Sequence, residues 1–301
     1  MASFWNSLMD LAPRVYRTSA AGVDTRVVEA GPLGPAPDHE PVLLVHGASG
    51  HLESFVRTMP FLAHRRRVIA FDLPWHGYAS HPDHPYTVAE YADFVVELAR
   101  RLSVDGPVHL VGQSLGAAIA GRIAIERTLP VGRLVLIGAA GVPGTRRNAS
   151  HSMRAALRDR SYASVKSRLE YAMAYRGPEM DELIECRYVA YQRGDWPPRA
   201  EAFSFHEEGA GRRSLEATEE EWRSLALPTL LVWGSEDRVV PPSAGRRLAE
   251  LVAGSRLDVF DGCGHNPQFE RPYAVNPVVD AFLAGDTEPP GGATLETSAA
   301  R

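Results

Sequence analysis

Five short apolar runs recur along the chain, each followed within two residues by glycine or, in one case, by Asp-Leu-Pro. A run of four or five residues that is apolar at every position is typical of a parallel strand buried on both faces of a sheet. Helical patterns lie between the runs, at Val88–Leu102 and Ala117–Arg127. This alternation predicts an α/β fold with a mostly parallel, doubly wound sheet. The five runs are Val42–Val45, Val68–Phe71, Val108–Val111, Leu134–Ile137 and Thr229–Trp233.

The alternation breaks once, between about residues 145 and 224, where no glycine-closed apolar run occurs. Helical patterns fill this stretch, at Ser152–Arg160, Ser164–Tyr175 and Glu179–Gln192. We expect a helical insertion that covers the carboxyl ends of the strands, where open α/β sheets place their sites. The predicted division is therefore a core (1–144), a helical cap (145–225), the rest of the core (226–285) and a disordered tail (286–301), whose residues are small, polar and rich in proline and glycine.

A candidate nucleophile lies where the run Val108–Val111 meets the next helix. The motif Gly112-Gln113-Ser114-Leu115-Gly116 follows a strand and opens a helix, which is the context that a nucleophile elbow requires. A sharp turn at Ser114 leaves no room for side chains two residues before or after it, and both positions are glycine. The backbone N–H of Leu115 then lies at a helix N-terminus, where it can stabilise an oxyanion.

A serine hydroxyl needs a base, and the base needs an orienting acid, which on this fold come in the chain order Ser, Asp or Glu, His. His265 is the candidate base, because it lies in a glycine-flanked loop after the last predicted strand, Leu257–Phe260. Glu236 and Asp237 follow the run Thr229–Trp233. We favour Asp237 as the orienting acid, four positions into its loop, over Glu236 and over a purely helix-capping role.

The second oxyanion donor is expected in the loop after Val42–Val45, which reads His46-Gly47-Ala48-Ser49-Gly50. The Ala48 N–H is the best candidate, because Gly47 lets the backbone turn inward. His46 and His76 are interpreted as structural histidines that bond to backbone groups.

These motifs resemble those of the α/β-hydrolase superfamily from about Arg17 to Ala284. The matching segments are HGASG (46–50), FDLPWHG (71–77), GQSLGA (112–117), WGSEDRVVP (233–241) and GCGHNPQFERP (262–272). The resemblance implies an α/β-hydrolase fold with Ser114, Asp237 and His265 as a catalytic triad. Serine at the elbow argues against the dehalogenases and epoxide hydrolases of this superfamily, which carry aspartate there.

Within the superfamily, the cap sequence from Met180 to Tyr188 is similar to that of the meta-cleavage-product hydrolases, which cleave carbon–carbon bonds. In that family a cap arginine binds the substrate carboxylate, and Arg187 falls at the matching position. An exposed helix arginine is the alternative interpretation. The chain departs from the family pattern in its HGASGH loop, at Gln113 (usually Asn) and at Asn266 (usually Trp), which are neighbours of the site where that family ketonises its substrate.

Composition narrows the functional classes further. The net charge of −5 does not favour a nucleic-acid partner, and Lys166 is the only lysine available for Schiff-base chemistry. Cys186 and Cys263 match no metal-ligand spacing or disulfide framework, and no apolar run is long enough to span a bilayer. We therefore expect a cytoplasmic enzyme with a small-molecule substrate, no cofactor, no metal and no membrane partner; homo-oligomerisation is left open.

The predicted function is that of a cofactor-free serine hydrolase that cleaves carboxylic esters of small, carboxylate-bearing or aromatic-derived substrates. The first alternative is hydrolysis of the carbon–carbon bond in 2-hydroxy-6-oxo-dienoate ring-fission products. The second is a ligand receptor that keeps the fold with little turnover, since function belongs to the site rather than to the fold.

Overall fold

The computed structural model describes residues 3–32, 39–104, 106–145, 159–193, 215, 217–286 and 294–297. Within these residues nine strands form one sheet in the order β1-β2-β4-β3-β5-β6-β7-β8-β9. The strands are β1 Arg14–Ala20, β2 Val23–Ala30, β3 Val42–Val45, β4 Val68–Phe71, β5 Val108–Gln113, β6 Val131–Ile137, β7 Thr229–Gly234, β8 Arg256–Phe260 and β9 Thr294–Thr297.

The six strands from β4 to β8 in this order are parallel to one another, which confirms the predicted mostly parallel sheet. Antiparallel strands lie at both edges: β1 and β2 form a hairpin joined to β4, and β9 pairs with β8. The apolar runs in the sequence did not predict these edge strands. The exposed, largely polar β1 lacks the continuous apolar run that identifies a buried strand.

The central strands have both faces buried, because successive side chains point to opposite sides of the sheet. In β3, Leu43 and Val45 belong to one apolar core, and Val42 and Leu44 belong to the other. Helices cover the two faces, in agreement with a doubly wound sheet. They are α1 Asn6–Met9, α2 Met59–Ala63, α3 Val88–Arg101, α4 Leu115–Glu126, α5 Tyr162–Ala172, α6 Pro178–Tyr191, α7 Glu219–Arg223, α8 Pro242–Leu251, α9 Pro267–Glu270 and α10 Pro272–Ala284.

The described chain between β6 and β7 contains the helices α5, α6 and α7 and no strand. The predicted helix Ser152–Arg160 lies almost wholly outside the described residues. The predicted helix Ser164–Tyr175 is wrong at its carboxyl end. Helix α5 stops at Ala172, and Met173 is extended, with φ −113° and ψ 145°. Instead, the carbonyl of Ala172 accepts the N–H of His265, and the N–H groups of Ala174 and Tyr175 donate to the side chain of Glu270 on α9. These bonds replace those of a continued helix.

Two terminal segments complete the fold. Phe4 and Leu8 of the amino-terminal segment are buried in the apolar core beside α2 and α10. The predicted disorder of residues 286–301 does not hold for Thr294–Thr297, since β9 pairs with the backbone groups of β8 that would otherwise form an open edge. Within the described parts of the chain, every helix is too short or too polar to cross a bilayer.

Candidate active site

Ser114 occupies a sharp turn between β5 and α4. Its backbone has φ 55° and ψ −114°, a conformation that costs free energy for any residue other than glycine. Its N–H donates to the carbonyl of Ile137 at 2.8 Å, which fixes the turn to the end of the neighbouring strand. A Cβ atom added to Gly116 would lie 1.9 Å from the carbonyl oxygen of Val45. The turn therefore exists only because α4 approaches β3 at a distance that excludes a side chain.

Replacing Gly116 by alanine should destabilise the protein severely, because the atom that the new methyl group meets belongs to the backbone and cannot rotate away. We expect a loss of about 3 kcal/mol or more in the free energy of unfolding, measured by urea denaturation. Gly106→Ala is the matched control, since a Cβ there meets nothing within 4 Å. Equal stabilities for the two variants would contradict this account of the turn.

His265 and Asp237 come together from the loops after β8 and β7. The Nδ1 of His265 lies 2.7 Å from Oδ2 of Asp237, and the Asp237 side chain is fully buried. Its other oxygen accepts the backbone N–H groups of Val239 and Val240, both at 2.9 Å. Because a carboxylate can only accept hydrogen bonds, Nδ1 of His265 carries the proton. The Nε2 atom therefore keeps a lone pair that can accept a proton on the other side of the ring. Glu236 is exposed and makes no comparable contact with the histidine among the described residues.

A glycine that the sequence analysis did not single out makes room for this pair. Gly138, at the end of β6, has φ +51°, and a Cβ there would lie 3.1 Å from Nδ1 of His265 and 3.2 Å from Oδ2 of Asp237. The signal was the glycine that closes an apolar run. The need for glycine at position 138 depends on its contact with two loops that lie about 100 residues or more later in the chain.

The loop after β3 carries Ala48 beside Ser114. Among the described residues, no acceptor is found for the backbone N–H of Ala48 or of Leu115. Ala48 lines the same cavity as Ser114 and His265. Gly47 is required here, since a Cβ would lie 2.3 Å from Oε1 of Gln113. Two unpaired N–H groups next to a serine hydroxyl can stabilise the oxyanion of a tetrahedral intermediate.

His46 holds the base of this loop. Its Nε2 accepts the N–H of Leu73 at 3.0 Å, so its Nδ1 carries the proton that it donates to the carbonyl of Gly47 at 2.8 Å. Complete burial lowers the pKa of His46 to about 4. Burial also lowers the pKa of His76 well below its ordinary value, and its Nδ1 bonds to the carbonyl of Pro74. Both histidines bond to backbone groups, as the sequence analysis expected.

The depressed pKa of His46 predicts acid sensitivity. Between pH about 6.5 and about 4 the unfolded chain binds a proton at this residue and the folded chain does not, so the free energy of unfolding falls as the pH falls. Over that pH window, the lowered pKa of His46 reduces the free energy of unfolding by about 3 kcal/mol. In His46→Gln, the unfolding midpoint should depend less steeply on pH than in the wild type. The exposed His64→Asn is the control, and parallel curves for wild type and His46→Gln would refute the assignment.

A cavity of about 370 Å³ lies between these loops and the cap, a size that suits a small substrate. Ser114, His265, Arg168 and Arg187 all line it, and no aspartate or glutamate does so among the described residues. Apolar side chains form another part of its wall, namely Val165, Leu169 and Val239. The cavity therefore combines a positive charge with apolar surface beside the serine.

Arg187, on α6, is a charged residue of the cavity wall whose Nε has no hydrogen-bond acceptor within the described residues. Its Nε is buried without an acceptor, and within the described chain its guanidinium makes no hydrogen bond or ion pair. Burial, reinforced by the nearby charge of Arg168, lowers the pKa of Arg187. A half-buried guanidinium whose Nε is buried without an acceptor favours binding of a carboxylate from a ligand. The structure thus places this candidate substrate-binding residue in the cavity wall rather than on the exposed face of its helix.

Two residues that contact this site were missed by the sequence analysis. The hydroxyl of Tyr191, on α6, donates to the carbonyl of Ser49 in the Ala48 loop at 2.8 Å. Glu270, on α9, accepts hydrogen bonds from both sides of His265. Glu270 lies within a quoted motif, but nothing in its spacing indicates which backbone groups it meets.

Comparisons with known proteins agree with this fold. A family profile described as alpha/beta hydrolase fold matches residues 40–272. The chain is 31% identical over 89% of its length to a 2-hydroxy-6-oxo-2,4-heptadienoate hydrolase of Pseudomonas putida, of which the match covers 95%. It is 27% identical over 84% of its length to monoacylglycerol lipase ABHD6 of Rattus norvegicus, of which 78% is covered. Among solved structures, a mutant meta-cleavage product hydrolase of Pseudomonas fluorescens IP01 superposes with a TM-score of 0.76 at 30% identity, with coverage of 90% of this chain and 97% of that one.

Proposed function

The chain belongs to the alpha/beta-hydrolase family and is a hydrolase, and from this premise we propose that it is a cofactor-free serine hydrolase that uses Ser114, His265 and Asp237. The single observation that carries the proposal is the hydrogen bond that Asp237 makes to His265, a residue that lines the same cavity as Ser114. This constellation resembles the Ser-His-Asp arrangement that activates a serine hydroxyl by a general base.

In the proposed reaction, Nε2 of His265 takes the hydroxyl proton as the Ser114 oxygen attacks the substrate carbonyl carbon. The N–H groups of Ala48 and Leu115 stabilise the resulting oxyanion, and each such donor contributes about 3 kcal/mol. Collapse of the intermediate breaks the bond to the leaving group, which receives the proton from His265. Water, deprotonated by His265, then attacks the acyl-serine. The bond between the acyl carbon and the Ser114 oxygen breaks, this oxygen takes the proton back from His265 and the acid is released, so that one water is consumed for each bond cleaved.

We infer an ester as the preferred substrate. The amide nitrogen of Gln113 donates to the carbonyl of His265 at 3.0 Å, which directs it to the protein backbone rather than to a substrate. Asn266 stands where the meta-cleavage-product hydrolases usually carry tryptophan. These two differences affect the neighbours of the site at which that family ketonises its dienoate, and they leave the ester mechanism untouched.

A second candidate is hydrolysis of a carbon–carbon bond in a 2-hydroxy-6-oxo-dienoate. Two observations favour it: the names of the relatives at about 30% identity, and Arg187 in the cavity wall, whose buried Nε lacks an acceptor. Both candidates use the same acyl-enzyme steps. The carbon–carbon candidate needs ketonisation of the dienoate before them, and its leaving group is a carbon acid instead of an alcohol. A cytoplasmic location remains a prediction from the sequence.

The test of the chemistry compares p-nitrophenyl esters with a coloured ring-fission product as substrates. We expect faster turnover of the esters, and a loss of roughly 10⁴-fold or more in kcat for Ser114→Ala and for His265→Ala. Rapid bleaching of the dienoate with background ester rates would reverse the order of the two candidates. Wild-type turnover in Ser114→Ala would overturn the proposal as a whole, and absence of any turnover or fluorophosphonate labelling in the wild type would favour a receptor.

The role of Arg187 is tested by the variant Arg187→Met, which keeps much of the aliphatic length and removes the charge. For esters with a distal carboxylate we expect kcat/KM to fall about 10- to 100-fold, as for loss of a buried charge-assisted hydrogen bond. For neutral esters of equal length we expect a change of less than about 3-fold. Arg101→Met, at an exposed arginine of α3, is the matched control. Equal losses on charged and neutral esters would mean that Arg187 supports the cap and does not bind substrate.

A further inference from the structure

A buried carboxylate lies behind the candidate base. Glu270 is 4% exposed, and its two oxygens accept backbone N–H groups from the residues on either side of His265. Gly264 donates to both oxygens, at 2.9 and 3.1 Å, and Asn266 donates to one at 3.0 Å. No arginine or lysine pairs with this carboxylate within the described residues, so its hydrogen bonds are made to backbone dipoles.

The same carboxylate also holds the cap. The N–H groups of Ala174 and Tyr175 donate to Oε2 of Glu270 at 2.7 and 3.1 Å. These two residues belong to the extended segment that follows α5, where the sequence pattern predicted continued helix. Glu270 therefore joins a cap segment to the loop of the candidate base through one side chain.

The cap and the His265 loop also contact each other directly. The N–H of His265 donates to the carbonyl of Ala172, the last residue of α5, at 2.7 Å. A Cβ on Gly264 would lie 2.4 Å from that carbonyl oxygen and 2.9 Å from Cα of Met173. The backbone at 264–266 thus packs closely against the cap, and each of its three N–H groups has an acceptor in Glu270 or in α5.

We propose that Glu270 is a positioning residue that sets the location of His265 by fastening its loop to the cap segment 172–175. The inference rests on the proposed function, since it takes His265 to be the base. Glu270 touches neither substrate nor the imidazole in any described contact. Glu270 acts on His265 through the backbone of Gly264 and Asn266. The position of this backbone determines where the imidazole ring lies relative to Asp237 and Ser114.

The ionised form of the side chain is essential to this role, since both oxygens accept. In Glu270→Gln one oxygen becomes an NH₂ group that faces N–H donors. If the NH₂ group takes the place of Oε2, the bonds from Ala174 and Tyr175 are lost, together with the shorter bond from Gly264. If it takes the place of Oε1, Asn266 loses its acceptor and Gly264 keeps only its bond to Oε2. The variant keeps the volume of the side chain and weakens the bridge in either orientation.

The test measures kcat, KM and stability of Glu270→Gln on a small neutral p-nitrophenyl ester, per active site titrated with a fluorophosphonate. We expect kcat to fall about 10- to 100-fold, as for a displacement of the base by about 1 Å, with KM changed less than about 3-fold. The low-field proton resonance of the His265–Asp237 hydrogen bond should shift or broaden. Glu220→Gln, at an exposed acid of α7, should leave all three quantities unchanged.

A second variant covers the case in which Glu270→Gln does not fold. Ala174→Pro replaces the N–H that donates to Oε2 by a ring carbon, and the preceding Met173 already has the extended backbone that proline requires of its predecessor. Because that carbon would lie against Oε2, the cap segment must move away from Glu270, and we expect kcat to fall about 10-fold together with a lower unfolding midpoint.

Two results separate this inference from the proposed function. If His265→Ala is inactive while the Glu270→Gln and Ala174→Pro variants that fold keep wild-type kcat and an unchanged low-field resonance, the positioning role is wrong and the triad stands. If His265→Ala itself keeps wild-type activity, the proposed function fails and the positioning role fails with it.

Discussion

The close approach of α4 to β3 is the constraint on which the site depends. Gly116 lies so near the Val45 carbonyl that any side chain would force the two elements apart. That proximity holds Ser114 at positive φ and raises it above the carboxyl ends of the parallel strands. It also sets Leu115 at the start of a helix, next to the loop that carries Ala48. The close packing of Gly116 against Val45 thus helps to set the positions of Ser114 and of the N–H groups of Ala48 and Leu115.

The parallel sheet brings the other groups to the same edge. Asp237 and His265 follow the neighbouring strands β7 and β8, whose carboxyl ends lie side by side. The helices between β6 and β7 then contact two loops of the site: Tyr191 bonds to the Ala48 loop, and Ala172, at the end of α5, bonds to the His265 loop. These helices therefore shape the cavity and also contact the backbone of both loops.

The sequence predicted what local patterns determine. The apolar runs identified the buried strands, and the two glycines around Ser114 identified the turn, because both depend on residues within a few positions. The edge strands β1, β2 and β9 were missed because an edge strand needs no continuous apolar run. The end of α5 was misplaced because Ala174 and Tyr175 donate their N–H groups to Glu270, a residue about 95 positions later. Tyr191 was missed for the same reason, since its acceptor at Ser49 is distant along the chain.

In the proposed mechanism, Ser114 carries the acyl group during turnover. The most direct measurement is rapid acid quenching of the enzyme during turnover of a slowly deacylated ester, followed by peptide mass mapping. We expect a mass increase equal to the acyl group on the peptide that contains Ser114, absent from Ser114→Ala. An adduct on another residue, or turnover of the ester without any adduct, would contradict it.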